Sequence, residues 1–369
     1  MCALGWAITR DPHTIVAVLV VATPCPLILA APIGIISGIN RAARAGIIVK
    51  SGAAIEQIGR ARAVVFDKTG TLTYGLPVLE RVVTTNGIPP ADLLRKAASV
   101  EQLSSHLLGR TLAQAAEAGG AHLALPEAFQ EVPGRGVVGQ LDGQQILVGS
   151  ARFLAERLGA GPMADLARLP APAGAVLSAY IAVDQRLAGV ALFGDQLRPG
   201  VPALMDRLRS LGVQHIALLT GDRPDNARHV AEEARIDEVV ADLLPADKVA
   251  ALERLKAQYT PIVMVGDGIN DAPALATATV GVAMGAHGTG ISAEAADVVL
   301  LVDDVTRVGE AVAIGQHTLR IVRQSIGVGL GLSFLLMVIA SLGVLPPPVG
   351  ALCKEAIDVL VILNALRAR

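Results

Sequence analysis

The stretch "ARAVVFDKTGTLT", residues 61–73, joins an apolar run to a polar turn at a single aspartate, Asp67. A short apolar run bounded by turn residues reads as a fully buried strand. The form recurs in "HIALLTGD" (215–222) and "PIVMVGDG" (261–268), with helical stretches such as "ADKVAALERLKAQY" (246–259) between. Alternation of this kind predicts a parallel α/β sheet whose polar residues gather at the carboxyl ends of the strands, where such sheets place their sites.

The residues at those strand ends suit phosphoryl chemistry. A carboxylate directly after a buried strand can act as a nucleophile and form an acyl phosphate, which points to Asp67. Lys68, Thr69 and the turn at Gly70 supply charge, a hydroxyl and backbone N–H groups for phosphate oxygens. "GDGIND" (266–271) brings Asp267, Asn270 and Asp271 to a second strand end. Carboxylates arriving from two strands are what Mg²⁺ takes, together with phosphate oxygens. Thr220, Gly221 and Asp222 add a hydroxyl and a backbone amide, and Lys248 adds a cation to balance charge in transfer.

Residues 76–192 interrupt the pattern. Strand-like pieces ("QQILVGS", "VLSAYIAVDQRLAGVAL") mix there with helical ones, which predicts an inserted α+β domain. The expected divisions are a first membrane segment at 1–45, a strand–helix domain at 46–75 and 193–320, the insert at 76–192, and two membrane helices at 321–369.

Composition supports the membrane part. The chain has 369 residues, 52% of them hydrophobic, more than a soluble enzyme of this size carries. A net charge of −2 and 2% aromatic residues exclude a nucleic-acid binder built on charge or base stacking. Three apolar runs, Ile15–Ile39, Ile326–Leu345 and Val349–Leu366, are each close to the ~20-residue length that crosses a bilayer. Arg41, Arg44, Lys50, Arg320, Arg323, Arg367 and Arg369 flank them on one side if the spans alternate, so 40–325 is expected to face the cytosol.

Together "DKTGTLT", "TGD" and "MVGDGINDAPAL" resemble the P-type ATPases of the haloacid dehalogenase-like superfamily, and the run "ATPCPLILAAP" (22–32) resembles their heavy-metal-transporting branch. The resemblance covers essentially the whole chain. It implies that ATP phosphorylates Asp67, that Lys248 contacts the phosphate, and that Asp67, Thr69 and Asp267 hold Mg²⁺. Asn270 and Asp271 would complete the site and Thr220–Asp222 would frame it. "SVEQLSSHLLG" (99–109) resembles the adenine-binding segment of that branch, with Glu101 and His106 on its motif and Leu107 where a proline is expected. "GRGV" (134–137) resembles its glycine loop, giving Gly134 and Gly136 to the nucleotide, and Ser150 stands where asparagine is usual.

The cargo is less determined. Pro24 and Pro26 break a membrane helix around Cys25, and unwound backbone at that depth is tolerated where it lines a protein-enclosed cavity. Glu355 and Asp358, spaced to share a helix face, complete a mixed sulfur and oxygen site that suits a divalent zinc-, cadmium- or cobalt-like ion. The ordinary alternative is that Lys354 pairs with one of them near the interface. An actuator domain with a Thr-Gly-Glu loop is expected of the family, and this chain carries no such sequence. It is therefore expected to be part of a pump, its missing half lying on another chain or lost. The competing readings are a membrane-attached phosphatase and a binder of nucleotide or metal that does not cycle.

Overall fold

A computed structural model describes residues 1–23, 25–85, 87–159, 177–267, 271–285 and 294–369. Two compact units share the chain: Met1–Asp67, Gly200–Gly221 and Arg235–Arg369 form the first, Lys68–Pro199 and Asp222–Ala234 the second.

The first unit holds a sheet of seven strands: β1 (Ile47–Val49), β2 (Ala63–Asp67), β9 (His215–Leu219), β10 (Glu238–Val240), β11 (Ile262–Gly266), β12 (Val280–Met284) and β13 (Val298–Leu300). Their order is β1-β13-β12-β11-β2-β9-β10, and every pairing is parallel except β1 with β13. β2 and β11 lie centrally and are buried along their whole length, as central strands of a parallel sheet must be. Leu252, Leu255, Met264 and Leu275 fill one face against β2. The register sets Val65 beside Met264 and Asp67 beside Leu219, so the acidic ends of adjacent strands finish at one edge.

The same unit contains the apolar helices. The first expected span is two helices, Pro12–Val21 and Cys25–Arg44, and Pro24 between them lies outside the described residues. Pro26 then falls in the first turn of the second helix, where its missing N–H is no loss, while Pro32 lies inside it. The second span is part of one 35-residue helix, Arg307–Ser341, and the third is Pro347–Ala365. The stretch 12–44 and the helix Arg307–Ser341 are long and apolar enough to cross a membrane. These helices pack on small residues: a Cβ on Gly329 would lie 2.5 Å from the Pro26 Cβ and 2.7 Å from a Val361 methyl.

The second unit is an antiparallel sheet in the order β3-β8-β7-β6-β5-β4: β3 (Thr73–Thr84), β4 (Ala128–Val132), β5 (Gly136–Leu141), β6 (Gln144–Gly149), β7 (Leu177–Val183) and β8 (Arg186–Leu197). Helices Pro90–Glu101 and Leu107–Ala118 cover it through Leu93, Ala97 and Leu112. From Leu177 on, the apolar run expected of the insert is a hairpin, turning at Asp184 and Gln185 with φ of 47° and 64°. Positive φ at both central residues matches the twist of the flanking strands.

Candidate functional site

β2 ends at Asp67, and β11 runs out at Gly266 directly before Asp267. The helix Pro245–Gln258 presents Lys248 to the same edge. Lys248 Nζ donates to Asp67 Oδ1 at 2.5 Å and to Asp271 Oδ1 at 2.7 Å. All three are buried, Asp271 at 1% exposure. Burial, then Asp271 and more weakly Asp267, push the Asp67 carboxyl up to about 7, with Lys248 pulling the other way. Burial pulls the Lys248 ammonium down, but the two aspartates outweigh it and hold it above its usual value. One ammonium therefore faces a surplus of carboxylate. Buried Thr220 follows β9; its N–H donates to the Val240 carbonyl at 3.0 Å and its own carbonyl accepts from Leu243.

Mg²⁺ is held by one or two carboxylates with phosphate oxygens and water, and Asp67 and Asp267 fit that donor set. Among the described residues no group of three His, Cys, Asp or Glu side chains comes together as a self-sufficient metal site. Asn270 lies outside the described residues.

In the second unit, Lys68 is buried and pairs with Asp222, with Asp195 Oδ2 at 3.8 Å. Thr69 is exposed on the turn, and Gly70 has φ of 74°, which an ordinary side chain resists. Two residues that sequence reasoning missed brace this turn. Asp195 accepts hydrogen bonds from Thr73 Oγ1 and Gly75 N. Arg198, 5% exposed, donates to the carbonyls of Thr73 and Gly70, each at 3.1 Å, and stacks over Tyr74. Burial raises the Asp195 carboxyl, against the pull of Thr73 and Lys68. "GDQLRPG" (194–200) gave no spacing signal because its partners lie more than 100 residues away.

A separate cavity of about 150 Å³ in this unit is lined by Glu101, His106, Gly134 and Gly136, with Glu131 and Ser150. The four residues singled out by resemblance thus meet at one pocket. Glu101, the last residue of its helix, is buried, and burial with Glu131 nearby pushes its carboxyl up to about 7 against a hydrogen bond from Ser104. A Cβ on Gly136 would lie 2.3 Å from the Val148 carbonyl oxygen, so only glycine passes there. Leu107 and Ser150 now have a physical account. Leu107 is the first residue of its helix, capped by His106, where proline is favoured but not required. Ser150 caps the helix Ala151–Leu158 by accepting from Phe153 N, as asparagine does.

In the helical bundle the structure separates residues that the spacing had joined. Asp358 is buried and pairs with Lys354, whereas Glu355 is exposed. The inward stripe of this helix is Gly350, Lys354, Asp358, Val361 and Ala365, and Glu355 stands one residue, about 100° of turn, away from it. The expected pairing of Glu355 with Asp358 is therefore replaced by Lys354 with Asp358. Gly350 approaches Val21 while Val361 meets Gly329 beside Pro26, so the pair lies level with the break before Cys25. Cys25 is half-buried, and Thr23 Oγ1 donates to the Val20 carbonyl. On the facing helix, Ser333 Oγ is buried without a hydrogen-bond partner among the described residues.

Known proteins carry the same parts. Residues 61–279 match the family described as haloacid dehalogenase-like hydrolase. The chain belongs to the haloacid dehalogenase-like hydrolases. It is 36% identical over 365 residues to a zinc-transporting ATPase of Bacillus subtilis (strain 168), covering 99% of this chain and 57% of that protein. It is 36% identical to a manganese-exporting P-type ATPase of Mycobacterium tuberculosis (strain ATCC 25618 / H37Rv), covering 99% of this chain and 51% of that one. A zinc-transporting PIB-type ATPase solved in the E2.Pi state superimposes with a TM-score of 0.83 at 35% identity, covering 94% of this chain and 56% of that one. The chain spans about half the length of the curated relatives it matches.

Proposed function

We propose that this chain is the catalytic and ion-path half of an ATP-driven pump for a divalent heavy-metal cation. The observation that carries the reading is Lys248 bridging Asp67 and Asp271 at adjoining strand ends. An Asp67 carboxylate oxygen attacks the γ-phosphorus of ATP, an oxygen–phosphorus bond forms, the bond from that phosphorus to the β,γ-bridging oxygen breaks, and ADP leaves. Lys248 keeps Asp67 ionised and placed for attack, and Asp271 in turn holds Lys248. Asp67 and Asp267 would hold Mg²⁺, which supplies charge neutralisation at the phosphate oxygens. ATP would dock in the pocket of Glu101, His106, Gly134 and Gly136, the glycines letting backbone approach the nucleotide.

Cys25 and Asp358 are the proposed cargo ligands, with Ser333 a further oxygen at the same depth. A thiolate with hard oxygen donors suits a zinc-, cadmium-, manganese- or cobalt-like ion better than Cu(I). The apolar helices would sit in the plasma or inner membrane with the catalytic units cytosolic.

The test is phosphorylation of the 369-residue chain by radiolabelled ATP with Mg²⁺ and a panel of metals. An acid-stable, hydroxylamine-sensitive phosphoenzyme that disappears in Asp67→Asn is the expected result. Its absence, with release of phosphate from small phosphomonoesters instead, would favour the membrane-attached phosphatase.

A further inference from the structure

Below the apolar segment of the helix Arg307–Ser341 lies a cleft of about 410 Å³, lined by Gly59, Arg60, Gln316, Leu319, Arg320 and Arg323. Its floor is a close crossing of backbones. A Cβ on Gly59 would lie 2.5 Å from the Gly315 carbonyl carbon, so no side chain grows in from below. Gln316, Leu319, Arg320 and Arg323 follow the i, i+3, i+4, i+7 spacing of one helix face.

The charge of this cleft is unbalanced. Arg320 and Arg323 are exposed and have no ion pair among the described residues. Arg60 meets Glu56 at 2.7 Å, but both side chains are more than a third exposed, which makes the pair weak. Three guanidinium groups thus face one solvated carboxylate. Arginine forks match phosphate oxygens in a bidentate way that lysine cannot. Leu319 adds an apolar wall beside them.

The position selects the phosphate. Arg323 stands three residues, about 4.5 Å along the axis, before Ile326, where the apolar run begins. A phosphate at that level is the phosphate of a lipid whose chains lie along the apolar segment. Basic pockets between membrane helices on the cytosolic side hold anionic headgroups in this manner.

We propose that the Arg60–Arg320–Arg323 cleft binds the headgroup of an anionic phospholipid from the cytosolic leaflet. The proposal rests on the reading of Arg307–Ser341 as membrane-spanning. The full chain would be placed in nanodiscs of phosphatidylcholine with and without phosphatidylglycerol, and retained lipid counted by native mass spectrometry. The wild type should retain phosphatidylglycerol over phosphatidylcholine, and R320Q/R323Q should lose that preference by about thirtyfold, each arginine contributing about fivefold near an anionic surface. R320K/R323K should keep part of it. Equal retention by wild type and R320Q/R323Q would overturn the proposal. So would inorganic phosphate alone raising the melting midpoint as far as phosphatidylglycerol does, which would mark a soluble-anion site. A chain that stays out of the nanodisc fails the membrane reading; one that inserts but ignores phosphatidylglycerol fails this proposal alone.

Discussion

Lys248 and Lys354 are both buried ammonium groups hydrogen-bonded to aspartates, yet they do opposite things to their surroundings. Lys354 meets Asp358 one turn away on its own helix, and the pair is neutral. Lys248 is shared between Asp67 and Asp271, with Asp267 close enough to act on Asp67, so its neighbourhood stays negative. A neutral pair is complete without a ligand. A surplus of carboxylate is costly alone and gains from a cation, so it stores a demand that binding satisfies. On the proposed cargo reading, a divalent ion in the bundle would have to win Asp358 from Lys354, whereas at the sheet edge a cation only relieves repulsion.

The largest effect expected from breaking this contrast is at Lys248. Lys248→Ala leaves two buried carboxylates opposed to each other and should destabilise the chain by about 3–5 kcal/mol near neutral pH. It should also abolish the phosphoenzyme. Denaturant titration at pH 5 should show a smaller loss than at pH 8, because protonation then removes the repulsion.

Asp358→Ala should cost a similar or slightly smaller amount, about 3 kcal/mol, since it strands one ammonium. Lys354→Met with Asp358→Leu should recover most of it in a thermal melt. The corresponding double change at Lys248 and Asp271 should not, because Asp67 remains. Equal recovery at both places would end the comparison.

Glu101 sharpens it from the other side, as a buried carboxylate with no ion pair among the described residues. Its pKa is about 7 in the folded chain against an ordinary 4.5. The folded state therefore holds its proton more tightly than the unfolded state does. Stability is full below about 4.5 and falls as pH rises through about 7, by on the order of 3 kcal/mol. Glu101→Gln should flatten that slope in melts recorded between pH 4 and 8. Smallest of all, Ser150→Ala removes only a helix cap at the same pocket and should cost about 1 kcal/mol without any pH dependence.

What the sequence made legible follows from how local each signal is. Asp67 could be read because a buried strand and a tight turn lie side by side in the chain. Parallel strands that are buried on both faces also announce themselves as continuous apolar runs. Glu101, His106, Gly134 and Gly136 could be gathered only by resemblance, since nothing in their spacing says that β5 returns beside the helix ends. Asp195 and Arg198 were out of reach because their partners lie across a sheet. Glu355 misled because residues three apart share a broad face, whereas only a narrow stripe is buried in a packed bundle. Lys354 on that stripe supplied the partner that Asp358 needed.

The helix Arg307–Ser341 runs unbroken for about 50 Å, against a hydrocarbon core of about 30 Å. Its extra length stands outside the apolar segment, where Gly315 bears directly on Gly59. Such a rod is a lever with a glycine fulcrum. A tilt of about 10° about Gly315 displaces Ser341, about 39 Å away, by roughly 7 Å, more than the rise of one helical turn. A rigid helix of this length converts a small rotation beside the sheet into a larger displacement at its apolar end, with no need for the helix to bend.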